Sequence, residues 1–260
     1  MLDSPTTPPH HALLLIGGGG HAVVIAEAAY LAGMQLRGFL DDYPAAPLGA
    51  VLIETVDRNR TAPAAVFSQP VPRYLGTLEA LQHAAIGPFI IALGNIQVRR
   101  KVLEALCRLH LTMSENALAT PILGLSTQSA KQPSAQTPSA AAVAAAVVHP
   151  AAFISPTARL APGVFVGPSA IVHARARVGA HAIINSGAIV EHDCTIGENT
   201  HLAPGSVIGG TVTIGCDTLL GLGCRVLPGL SIGKHCTIGA GAVVLANVPD
   251  GTTVVGVFRG

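Results

Sequence analysis

From residue 148 onward an aliphatic side chain returns at every sixth position. The series runs Val148, Ile154, Leu160, Val166, Val172, Val178, Ile184, Val190, Ile196 and Leu202. It continues through Ile208, Ile214, Leu220, Val226, Ile232, Ile238 and Val244, 17 consecutive hexads without an exception. Four residues after each stands a mostly small residue, among them Ala152, Ala158, Ala170, Cys194, Thr200 and Ser206. A period of six with fixed aliphatic and small slots predicts a parallel β-helix. Each hexad forms one flat face, and three faces close a triangular coil, so residue n lies beneath residue n+18.

The N-terminal pattern differs. Residues 12–16 (ALLLI) are a short, fully apolar strand of the kind buried in a parallel sheet. The run Gly17 to Gly20 follows, then a helical stretch HAVVIAEAAYLAG closed by Gly33. Leu36 to Leu40 gives a second strand ending at Asp41 and Asp42. Phe89 to Leu93 gives a third, followed by Gly94, Asn95 and a helix from Val98 to about His110. Strand, glycine turn, helix and strand predict half of a doubly wound α/β unit over 11–113. Between the two patterns, 114–147 is low-complexity Ser, Ala, Gln and Pro with one charge, Lys131, and reads as a flexible linker whose closing alanine run has helical propensity. The β-helix domain is placed at 148–257.

Composition sharpens this picture. Half the residues are hydrophobic, but aromatics are 3% and tryptophan is absent, as expected of a core built from thin layers of small aliphatic side chains. A formal net charge of +1 gives no basic face for nucleic acid. No apolar run approaches the roughly 20 residues of a membrane span. The N-terminus has neither the basic start nor the apolar core of an export signal, and with five cysteines, an odd number, the expectation is a cytoplasmic protein with free thiols. Cys194, Cys224 and Cys236 occupy the small slot, where a thiol acts as a compact core hydrophobe.

Two places can hold chemistry. The hexad from Val190 reads VEHDCT and puts Glu191, His192 and Asp193 on one turn, with His192 beneath Gly210. A histidine beside a carboxylate can serve as a base whose tautomer the acid fixes. Three polar residues on a solvated turn are the plain alternative. His201, nine residues on, lies on another face, from which two imidazoles could approach one edge. His149, His173, His181 and His235 also fall near turns, and without a His-x4-His pair no metal site is expected. The second place is GGGGHA, which fits a phosphate-cradling turn between strand and helix, with Asp41 and Asp42 where an acid would meet ribose or base. A tight turn without ligand is the alternative there, and the small domain suits a mononucleotide better than a dinucleotide.

The combination resembles the bacterial nucleotide-amino-sugar N-acetyltransferases, the bacillosamine and perosamine enzymes, with sialic-acid O-acetyltransferases as near relatives. The resemblance rests on GGGGHA at 17–22, FLDD at 39–42, IALGNIQVRRKV at 91–102, INSGAIVEHDCTIGENTHLAPGSVIGG at 184–210 and IGAGAVVLANVPDGTTVVGV at 238–257. It implies a left-handed β-helix and transfer from acetyl-CoA to the 4-amino group of a UDP- or GDP-linked 4-amino-4,6-dideoxy sugar for surface glycan synthesis, without a metal. It further implies His192 as general base, Asp193 as its orienting carboxylate, the Gly210 N–H as oxyanion donor, His201 near the thioester, and Asn185 as a polar contact. Gly18, Gly19, Gly20, His21, Asp41 and Asp42 would hold the nucleotide, in a homotrimer whose clefts lie between subunits. The chain departs from the family in its insert and in ending VGVFRG where a G-x-P-A-[KR] turn is usual. O-acetylation of a sugar or sialic acid and a non-catalytic nucleotide-sugar scaffold remain alternatives, and a γ-class carbonic-anhydrase-like metal protein is weakened by the missing histidine pair.

Overall fold

The structure, a computed structural model, describes residues 12–48, 72–82, 87–108 and 143–260. The N-terminal unit holds β1 (Leu13–Ile16), α1 (Gly20–Leu31), β2 (Leu36–Leu40), a short 3-10 helix (Leu78–Gln82), β3 (Pro88–Ile91), α2 (Ile96–Arg108) and β4 (Val143–Ala144). Its four strands form one sheet in the order β2-β1-β3-β4, with every pair parallel. All four β1 residues are buried, the reason this strand reads as unbroken hydrophobic sequence. Of the residues expected to be linker, 114–142 lie outside the described ones. The remainder is not helical: Val143 and Ala144 pair with Pro88 and Phe89 as the fourth strand, and Val147 already starts the β-helix. Strand pairing of Val143 and Ala144 with an existing edge outweighs the weak helical preference of a short alanine run.

The second unit is the expected left-handed parallel β-helix, which runs from β5 (Val147–Val148) to β23 (Val257–Phe258) in two-residue strands. Two of its faces are seven strands deep and the third is five. Pairings such as Ile184 with Leu202 and Val190 with Ile208 repeat the 18-residue step. The sixth-position aliphatics stack inward as one continuous core with Cys194, Cys224 and Cys236 among them. Burial pushes the Cys224 thiol up to about 11 and raises that of Cys194, so both are inert core groups. Thr200 and Thr218 share the small slot because each hydroxyl donates to a carbonyl of the next coil, Gly215 at 3.1 Å and Gly233 at 2.9 Å.

The outward faces are unlike one another. On the five-stranded face the exposed positions are Arg159, Arg177, Thr195, Thr213 and Ser231. On the face beginning with β6 (Phe153–Ile154) they include half-buried Ile171, Ile189, Val207 and Val243, with Phe153 and Val257 more than half exposed. The face beginning with β5 carries Val147, Phe165 and Ile183, all buried in one cluster with α1. That contact seats the N-terminal unit on the β-helix.

Candidate active site

From Gly163 to Gly241 each hexad turn has a residue with positive φ three places after the inward aliphatic. At one corner these are Arg175 (φ 60°), Asp193 (60°), Thr211 (62°) and Gly229 (76°). This geometry turns Asp193 toward the preceding residue, and its Oδ2 accepts a hydrogen bond from His192 Nδ1 at 2.8 Å. A carboxylate only accepts, so in the neutral ring Nδ1 carries the proton and Nε2 the lone pair. Below, the Arg175 guanidinium donates to both Asp193 oxygens at 2.6 and 2.7 Å. These hydrogen bonds from Arg175 first, and from His192 second, hold the Asp193 carboxyl well below the usual carboxylate range. Above lies Gly210, where a Cβ would stand 2.8 Å from His192 Nε2, so the ring occupies the space any side chain there would need. Among the described residues the Gly210 N–H donates to no acceptor. The His192 side chain is 55% exposed in the single chain.

The second cluster lies between the two units. Gly94, after β3, offers its carbonyl to His201 Nδ1 at 3.0 Å, which leaves His201 Nε2 to accept from Asn185 Nδ2 at 3.3 Å. His21, from the first turn of α1, meets Phe165 edge-on at 5.6 Å and tilts against His201 at 6.1 Å. Burial above all, then the Arg99 charge, pushes His201 down to about 4. Burial, then His201 and Arg99, does the same to His21. Both rings are neutral at physiological pH. A cavity of about 640 Å³ opens beside them, bounded by α2 on one side and by His201, Leu219 and Thr237 on the other. The structure does not bring His192 and His201 together: His192 stands at a corner, His201 on the face beginning with β5, and they share no bonding partner. Nine residues carry the chain half-way round a coil, so one edge cannot hold both.

The glycine turn joins β1 to α1 as expected. Gly17 has φ of 113°, and a Cβ at Gly18 would stand 2.7 Å from Phe39. At Gly19 and Gly20 a Cβ would meet nothing, and Gly19 has an ordinary φ of −70°. The start of α1 has no side-chain cap. Asp41 and Asp42 brace this region: Asp41 accepts the Gly18 N–H at 2.7 Å and the Tyr43 N–H at 2.8 Å, and Asp42 accepts the Leu78 N–H at 3.1 Å. Each carboxylate oxygen retains room for a second donor.

Sequence reasoning missed three arginines. Arg175 was findable by stepping 18 residues back from Asp193. Arg99 and Arg100 were not, since their partners Asn199, Glu198 and Asp217 are about a hundred residues away. Among the described residues no cluster of three or more His, Cys, Asp or Glu could hold a metal, and no helix is long and apolar enough to cross a membrane.

Comparison with known proteins follows the same division of the chain. Residues 12–106 match the PglD N-terminal domain, and 175–210 and 211–246 match the bacterial transferase hexapeptide repeats. In both parts the chain is similar to the PglD-type hexapeptide acetyltransferases. Within that family, a solved structure of PerB from Caulobacter crescentus in complex with CoA and GDP-perosamine is 28% identical, with a TM-score of 0.68 over 94% of each chain. A histidine-to-asparagine variant of perosamine N-acetyltransferase from the same organism, with the same ligands, is 27% identical, with a TM-score of 0.66 over 94% of this chain and 93% of that one. The acetyltransferase domain of PglB from Neisseria gonorrhoeae in complex with acetyl coenzyme A is 26% identical, with a TM-score of 0.67 over 95% and 96%. No curated protein sequence matches the chain.

Proposed function

We propose that this chain is an acetyl-CoA-dependent N-acetyltransferase acting on the 4-amino group of a nucleotide-linked 4-amino-4,6-dideoxy sugar in the cytoplasm. The observation that carries the reading is the Arg175–Asp193–His192 series ending against Gly210, in a chain whose two units match the two halves of one transferase family. His192 Nε2 accepts a proton from the sugar amine as the nitrogen bonds to the thioester carbon. The carbonyl electron pair moves onto oxygen, where the Gly210 N–H receives it. Collapse re-forms the carbonyl, breaks the carbon–sulfur bond, and the imidazolium returns its proton to the departing thiolate of CoA. Asp193 stabilises that imidazolium, and Arg175 keeps Asp193 ionised and aimed.

Three features support the substrates and the assembly. The uncapped start of α1 behind Gly19 and Gly20, where glycine is required by no contact within the chain, suits close approach of a diphosphate. The bound ligands of the Caulobacter and Neisseria relatives are CoA, GDP-perosamine and acetyl coenzyme A. His192 borders the apolar face of Ile171, Ile189 and Val207, and its own exposure suits a cleft closed by another copy. A homotrimer packed through that face would bring the His201 and glycine-turn cluster of one copy opposite His192 of the next.

Thiol release from acetyl-CoA with UDP- and GDP-linked 4-amino sugars tests the reading. One amino sugar should react, and His192→Ala should slow it by about 100- to 10,000-fold. Release with hydroxy sugars alone would make the chain an O-acetyltransferase. An unimpaired His192→Ala enzyme would remove His192 as base.

A further inference from the structure

The buried face of α2 runs Ile96, Arg99, Val102, Leu103 and Leu106, and its second member is a fully buried arginine where the helical pattern calls for an apolar side chain. Every nitrogen of that guanidinium is engaged. Nε donates to Asn199 Oδ1, NH2 donates to the Asn199 carbonyl at 2.8 Å, and NH1 donates to the Leu93 carbonyl at 3.0 Å. Asn199, itself fully buried with φ of 55°, donates through Nδ2 to the Ile96 carbonyl at 3.2 Å and to Asp217 at 2.6 Å. The Arg99 N–H holds the Asn95 carbonyl at 2.9 Å. The carbonyls of Leu93, Asn95 and Ile96 are thus fixed on both sides of Gly94, whose own carbonyl receives His201 Nδ1–H.

We propose that Arg99 is a positioning residue, which acts through Leu93 and Asn199 to fix the Gly94 carbonyl against His201, so that His201 presents Nε2 to the neighbouring cavity as a hydrogen-bond acceptor only. The group received there is an O–H or N–H donor of a reactant, which takes the place of the long 3.3 Å contact from Asn185 Nδ2, and this part rests on the acetyl-transfer reading above. A lysine cannot replace Arg99, because one ammonium cannot reach three acceptors held in a planar fork. The groups that face His201 are His21 from α1, Asn185 from its own β-helix face, Arg99 from α2, and, around the cavity, Arg100, Lys101, Glu104, Asp217 and His235. Burial and the Arg99 charge both oppose a proton on Nε2, and the Gly94 carbonyl admits one tautomer.

The experiment is a two-bond ¹H–¹⁵N correlation on the full chain labelled at histidine, with the His201 signal assigned by its loss in His201→Gln. The wild-type protein should show His201 as the Nδ1–H tautomer, without titration between about pH 5.5 and 8. Arg99→Lys should mix the tautomers and lower kcat/KM for thiol release by about tenfold, with Arg99→Gln at least as severe. An Nε2–H tautomer or a titration near the ordinary 6.5 in the wild type overturns the proposal, whether or not the variants fold. So does a folded Arg99→Lys enzyme with mixed tautomers and an unchanged rate. If the wild-type spectrum is as expected but no amino sugar releases thiol, the acetyl-transfer reading fails while the clamp on His201 stands.

Discussion

Asp193 sits in a backbone conformation that glycine adopts freely and other residues adopt at a cost of about 1 kcal/mol or more. The β-helix has three columns of such positions. One is Ser169 and then glycine at 187, 205, 223 and 241. The other two carry Arg175, Asp193 and Thr211, and His181, Asn199, Asp217 and His235. In these two columns non-glycine residues predominate, with partners such as Asp193 for Arg175 and Arg100 for Asp217 offsetting the strain, and they are the corners beside His192 and at the contact with α2. This signal was present in the sequence, three places after the aliphatics, as a non-glycine residue where glycine is the easier choice. Gly210 is a glycine for another reason, the proximity of His192. Gly210→Ala should therefore fold normally yet tilt the ring off Asp193, lowering kcat for thiol release by about ten- to a hundredfold. Circular dichroism and steady-state rates together check this.

At the scale of the element, α2 makes the polar contact between the two units, beside the apolar one of α1. Its amphipathic pattern was legible, since Ile96, Val102, Leu103 and Leu106 recur at helical spacing, but the presence of Arg99 on that face has no local explanation. Its reason is Asn199, a hundred residues away. Arg100 repeats the lesson at the edge, with a fork onto Asp217 at 2.8 and 2.9 Å and one bond to Glu198 at 2.8 Å. Asp217 is nearly buried and also accepts from Asn199, whereas the Glu198 side chain is 43% exposed. Asp217→Ala should cost about 1–3 kcal/mol, by leaving Arg100 and Asn199 short of an acceptor. Glu198→Ala should stay within about 0.5 kcal/mol. Urea denaturation of the two variants makes the comparison. Within the coil, Leu202→Ala removes a fully buried rung and should cost about 2–5 kcal/mol by the same measurement.

For the whole molecule, the junction of the two units has a pH signature. His21, His181 and His201 are each pushed down to about 4, burial being the leading cause and the Arg99 charge a contributor to all three. The unfolded chain binds these protons near 6.5, before the folded one does, so stability is full above about 6.5 and falls as the pH drops toward 4. Thermal melting across that window should show Tm falling with acidification, and His181→Phe should make the fall shallower. The other whole-molecule property is assembly. Ile189→Arg places a charge on the apolar face beside His192, and sedimentation should show a smaller species that binds nucleotide sugar but releases no thiol. A trimer of full activity in that variant would place the interface elsewhere.

The repeat of six by itself determined the β-helix, its 18-residue register and its core, because each hexad is built from contacts with residues one coil away. The same register located His192, Asp193 and Gly210 on one corner and could have added Arg175. The strand–glycine–helix order likewise determined the first three strands of the N-terminal sheet. Only the tertiary structure decided what lies where the two patterns meet. It made 143–144 the fourth strand, set His201 apart from His192, and turned Asp41 toward the glycine turn. It also enclosed Arg99 between Leu93 and Asn199. Periodicity encodes contacts within one repeating unit, whereas docking of a helix on a coil depends on single side chains that no period relates.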